Sequence, residues 1–139
     1  MKRLPAAVLF AASTGVLLVA WWLVPSASGS GTHTALGLMP CGFKMSTGLP
    51  CISCGMTTSF AYVADGNLAA AFLTQPAGSL LALGCAMLSI LSLWSLVSGM
   101  SLAPAGLMLA RPAAVVAVIV TLLGSWAYTL TLAFLHGPP

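Results

Sequence analysis

The residues able to do chemistry are gathered in one stretch, Cys41-Gly-Phe-Lys-Met-Ser-Thr-Gly-Leu-Pro-Cys51-Ile-Ser-Cys54-Gly-Met-Thr-Thr58. It holds three of the four cysteines and Lys44, one of only five charged side chains (Lys+Arg 4, Asp+Glu 1). Three uses of the thiols stay open. The first is a metal site. Cys51-x2-Cys54 has the spacing of half a tetrahedral zinc site, and Cys41 offers a third thiolate. A fourth ligand would be His33, Cys85 or water. Copper(I) is a softer variant, since thiolates and thioethers suit it, and Met39, Met45 and Met56 lie close in sequence. The same methionines read first as apolar filler between short helices.

The second use is thiol–disulfide exchange. A Cys-x-x-Cys pair that opens a helix can have its first thiol acidified by the helix dipole. Cys51 and Cys54 stand just ahead of an apolar face Met56, Phe60, Val63 at helical spacing, and Cys41 would be the exchange partner. No thioredoxin-like βαβ pattern surrounds the pair. The third use is a staple. Cys41 bonded to Cys51 or Cys54 would close a loop of roughly a dozen residues, worth about 3 kcal/mol on chain entropy, if the loop faces an oxidising compartment.

Little else in the chain is reactive. Asp65 is the single acid, and beside Gly66 it reads as a turn residue. His33 lies in a Ser/Gly/Thr linker and reads first as a solvated side chain. Cys85 falls on a row of small residues in an apolar span, about 12 Å below the start of the span at helical rise, and reads as packing. A Ser/His/Asp set, a phosphate loop and a carboxylate pair are all missing, which leaves an independent hydrolase or transferase without its groups.

The elements that position these cysteines are written in composition. Of 139 residues, 60% are apolar and 4% charged, against about 25% charged in a soluble protein; mean hydropathy is +1.09. So few charges cannot cover a water-facing surface, so the expected solvent is the lipid bilayer. Four scattered cations make no basic cluster, and no nucleic-acid partner is expected. Three apolar runs, about 4–24, 77–98 and 113–135, are each near the roughly twenty residues a spanning helix needs. The first follows Lys2-Arg3 and precedes Ser26-Ala27-Ser28-Gly29-Ser30, which imitates a signal-peptide cleavage site, but its length favours a retained anchor. Trp21-Trp22 would mark a headgroup level.

Between the first two spans, residues 26–76 form a loop rich in Gly and Pro. It is expected to carry two short helices, broken at Asp65-Gly66-Asn67, with Gly66 ending one and Asn67 capping the next. Leu68, Ala71 and Phe72 give that second helix an apolar side. Pro76 opens the following span. Small-residue rows at Ala7, Ala11, Gly15, at Gly78, Ala82, Cys85, Ser89, Ser92, and at Ala117, Thr121, Gly124, Tyr128, Thr131 predict close helix contacts, within the bundle or with other membrane proteins. Lys2, Arg3 and Arg111 against Lys44 predict a cytoplasmic N-terminus and an outside cysteine loop. Cys85 and Tyr128 are the only ionisable residues in the spans, so an ion path lacks its usual relay groups.

The run Cys41…Thr47-Gly48-Leu49-Pro50-Cys51-Ile52-Ser53-Cys54-Gly55-Met56-Thr57, with Gly66-Asn67-Leu68 and Gln75-Pro76 after it, resembles the small bacterial membrane proteins of domain of unknown function 2752. Their pattern is Cys-Pro, a spacer, Thr-Gly, Cys-Pro-x-Cys-Gly-x-Thr-Arg, a Gly-Asp step and Asn-Pro before the next span. The likeness covers about residues 41–80. Gly42 and Ile52 replace the usual prolines, Thr58 the arginine, Asn67 the aspartate and Gln75 the asparagine. The resemblance implies that Thr47, Gly48, Pro50, Gly55, Thr57, Gly66 and Pro76 shape the motif. It also implies an address in the bacterial inner membrane, and it implies no activity.

The reading is one all-α membrane domain, 1–139, of three spanning helices with short interfacial helices between the first two. Its function is expected to be that of a non-enzymatic accessory or binding protein. The cysteine loop would be disulfide-stapled or hold zinc or copper at Cys41, Cys51 and Cys54. The alternative is a membrane thiol–disulfide oxidoreductase using Cys51 and Cys54.

Overall fold

The computed structural model describes residues 3–26, 28–102, 106–107 and 110–136, with only the backbone of His136. Lys2 and Ala27, which enter the sequence reading, and also Pro104 and the tail Gly137-Pro-Pro lie outside the described residues. The described residues form helices α1 (Arg3–Trp22), α2 (Gly42–Thr47), α3 (Met56–Ala64), α4 (Leu68–Thr74), α5 (Pro76–Ser98) and α6 (Pro112–His136), with a 3-10 turn at Thr32–Leu36, and no strand. Helices α1, α5 and α6 are long and apolar enough to cross a membrane. The expected spans are thus present to within two residues at each end.

Polarity is distributed inside out relative to a soluble protein. The largest fully buried side chains are Gln75, Thr58, Ser59, Ser79 and Ser92, while Leu80, Leu81, Ile90, Trp94, Val116, Ile119 and Val120 are exposed. Lipid tails are as apolar as leucine, so burying leucine between helices gains little there. Small residues that allow close approach, and hydroxyls that bond across, do more. Ser89 Oγ donates to Ser13 Oγ at 2.8 Å, and Thr14 Oγ1 donates to Ser89 Oγ at 3.4 Å, joining α1 to α5 in mid-span. The two helices run antiparallel along most of their length, with the Arg3 guanidinium beside Gly99 at one end. At the other end Ala20, Phe60 and Ala82 form a small core shared by α1, α3 and α5, with Met56, Val63 and Cys85 against it.

The turn chemistry follows the sequence. Gly66 has φ +79°; its N–H donates to Val63 O and that of Asn67 to Tyr62 O, so the last carbonyls of α3 are met. Asn67 Oδ1 accepts from Ala70 N and caps α4. Pro76 opens α5.

Three expectations are corrected. The face of α1 that packs is Ala6, Ser13 and Ala20, all buried, at seven-residue spacing; the ladder Ala7, Ala11, Gly15 sits to one side, because serine and threonine hydroxyls set the contact rather than glycine. The row on α6 does not meet the row on α5. Gly78, Ala82 and Ser92 are buried mainly by α1 and α3, while Ala117, Gly124 and Thr131 of α6 are exposed. In α4 only Ala71 is buried; Leu68 and Phe72 are 44% and 37% exposed. The 3-10 turn and α2, both within the loop, were not foreseen, being too short for a periodic signal.

Candidate metal centre

The motif folds as two tight turns that bring its ends together. Cys41 precedes α2, and its carbonyl accepts from Met45 N at 3.0 Å. Helix α2 ends after Thr47, whose Oγ1 donates to Phe43 O at 2.7 Å and accepts from Leu49 N at 3.2 Å. Gly48 follows at φ +73°, reversing the chain toward Pro50 and Cys51. Cys54 N donates to Cys51 O at 3.0 Å, closing the Cys-x-x-Cys turn. Gly55, at φ +87°, leads into α3. A Cβ at Gly55 would stand 3.0 Å from Gly29 O, so the Ser28–Gly31 segment lies directly over it.

This geometry converges three sulfurs. Sγ of Cys51 lies 3.3 Å from Sγ of Cys41 and 3.3 Å from Sγ of Cys54, and all three lie within 4.8 Å of one another. None is joined to another by a disulfide, and each residue is half-buried. The pair is chemically unequal. Burial pushes the Cys51 thiol up, but hydrogen bonds with Ser53, Cys41 and Cys54 outweigh it and bring it down to about 7. Burial, and then the hydrogen bond with Cys51, push Cys54 up to about 12.

Both carbonyls flanking Cys51 are anchored from outside the motif. Pro50 O accepts from Trp126 Nε1 of α6 at 3.1 Å, and Ile52 O accepts from Gln75 Nε2 at 2.8 Å. Gln75 is 1% exposed, and its Oε1 has no partner among the described residues. Ser125 Oγ accepts from Ala77 N at 3.1 Å and Tyr128 OH donates to Leu73 O at 3.0 Å. One turn of α6 therefore ties together the motif, α4 and the start of α5. Neither Gln75 nor Trp126 was legible as a site residue; the one signal was Gln75-Pro76 at the end of the motif.

Cys41 and Cys54 line a cleft of about 380 Å³ with His33, Lys44, Met45, Ser28, Ser30 and Thr34. Lys44 Nζ donates to Ser30 Oγ at 2.8 Å. Of the other sequence candidates, Met39 is 86% exposed, Met56 packs in the core, and Cys85 sits beside Ala20, Phe60 and Ala82, away from the three sulfurs. His33 shares the cleft but does not join the sulfur cluster. Asp65 is an exposed turn residue at the end of α3. Thr57 is half-buried and faces the α1 side, not the thiols. Thr58 is 1% exposed and shares a 2.8 Å hydrogen bond with Thr32. Lys44 supplies a cation to the cleft.

A family model described as "Protein of unknown function (DUF2752)" matches residues 41–89. The resemblance drawn from the cysteine motif is borne out over these residues, and it extends through the first half of α5. No curated protein and no solved structure matches the chain.

Proposed function

We propose that this is a small integral membrane protein whose loop holds one soft metal ion, zinc(II) or copper(I), on Cys41, Cys51 and Cys54. It acts as an accessory or binding protein rather than as an enzyme. The observation that carries the reading is the approach of three sulfurs within 4.8 Å of one another. A staple uses two sulfurs and leaves the third without a reason to be there; a metal uses all three. Binding deprotonates the ligating thiols, the reluctant Cys54 included. Lys/Arg placement supports a cytoplasmic N-terminus with the loop outside, and the family resemblance supports a bacterial inner membrane.

One observation favours a second reading. Cys51 drawn down to about 7 beside Cys54 pushed up to about 12 is the asymmetry of an attacking and a resolving thiol. Elemental analysis and a free-thiol count on the same purified sample separate the two. The metal reading expects about one zinc or copper per chain, lost on Cys51→Ser and kept on Cys85→Ser. A metal-free sample with a Cys51–Cys54 bond that exchanges with a dithiol at mild potential contradicts it and supports the second.

A further inference from the structure

We propose that the metal centre keeps one coordination place open to the cleft, and that this place takes a small thiol carrying a carboxylate. Its sulfur would bind the metal and its carboxylate would bind Lys44. The inference rests on the metal reading and deepens it. Among the described residues no histidine, cysteine or acid beyond the three thiols joins the cluster, so the protein supplies three ligands where a tetrahedral ion wants four. Cys41 and Cys54 face a cleft of about 380 Å³, within the range of small-molecule sites.

The walls say what enters. Lys44 is the cation of the cleft, and no acid lines it; Ser28, Ser30, Thr34 and His33 add hydroxyl and imidazole groups. Lys44 Nζ uses one N–H on Ser30 Oγ, leaving donors for an anion. A zinc ion on three thiolates carries net charge −1, and a nearby ammonium offsets it. An ion in an all-sulfur setting is soft and favours sulfur in its last place. On entry the thiol gives its proton to solvent, its thiolate takes the metal, and the water held there leaves.

The test uses the full chain in detergent, loaded with cobalt(II), whose visible bands report the ligand set. Mercaptoacetate and the neutral, similar-sized mercaptoethanol are titrated in. Mercaptoacetate is expected to change the bands at about tenfold lower concentration, the worth of one charge-assisted contact. Lys44→Gln is expected to erase that preference and Lys44→Arg to retain it. Failure to take up cobalt overturns this proposal; protein that as purified also carries neither zinc nor copper overturns the metal reading with it. Cobalt uptake without a thiol response, or equal response to both thiols, overturns the open place or the role of Lys44 while leaving the metal reading standing. A change in the thiol-free bands on His33→Ala overturns the proposal by assigning the fourth place to His33.

Discussion

Cys51 and Cys54 differ by their surroundings rather than by their type. Ser53 and two neighbouring thiols stabilise a charge on Cys51, while Cys54 meets mostly burial. The thiolate is the reactive form. In metal-free protein, alkylation of Cys51 should therefore be fast above pH 7 and fall about tenfold per unit below it, while Cys54 stays unmodified through the same range. Mass-mapped alkylation from pH 5 to 9 checks this; equal modification of both residues with a midpoint near that of a free thiol contradicts it. Which cysteines come together was readable from spacing alone, since Cys41, Cys51 and Cys54 converge and Cys85 does not. That His33, Lys44 and Met45 share their cleft was not readable. It depends on the Ser28–Gly31 segment folding over Gly55, a contact with no sequence period.

At the scale of elements, the site depends on two anchors and one close crossing. Gln75 and Trp126 hold the carbonyls on either side of Cys51. Gln75→Leu should leave Ile52 O unmet and lower metal affinity by about 10- to 100-fold, as loss of a supporting hydrogen bond does; competition with a chelator measures it, and unchanged affinity would remove Gln75 from the account. Gly78 is the crossing. A Cβ there would stand 3.1 Å from Met56 Cα and 3.1 Å from Ser59 Cβ, whereas one at Gly84 would meet nothing within 4 Å. Gly78→Leu should cost about 1–3 kcal/mol by prying α3 from α5 and Gly84→Leu should be near neutral, read as melting temperature in detergent. The caps at Gly66, Asn67 and Pro76 were legible because each residue type answers one local backbone need. The packing face of α1 was not: Ala6, Ser13 and Ala20 were chosen by the partner helix, and small-residue spacing matched two faces of the same helix.

Across the whole molecule, buried hydroxyls and exposed leucines describe a chain built for lipid, and the number of spans followed from apolar run length. How α6 joins the rest did not: it attaches through Ser125, Trp126 and Tyr128 rather than along a seam. Arg3 and Gly99 share one end of the bundle, and the cysteine loop lies at the other. On the proposed orientation, in a chain with its four cysteines changed to serine, a membrane-impermeant maleimide should label a Met39→Cys variant from outside and a Ser101→Cys variant only from inside; the reverse pattern would invert the topology. The most direct test of the central claim is X-ray absorption at the metal edge of the full-length protein as purified. The account expects a first shell with at least three sulfurs at about 2.3 Å. A shell with two sulfurs or fewer, or protein carrying no metal, would contradict it.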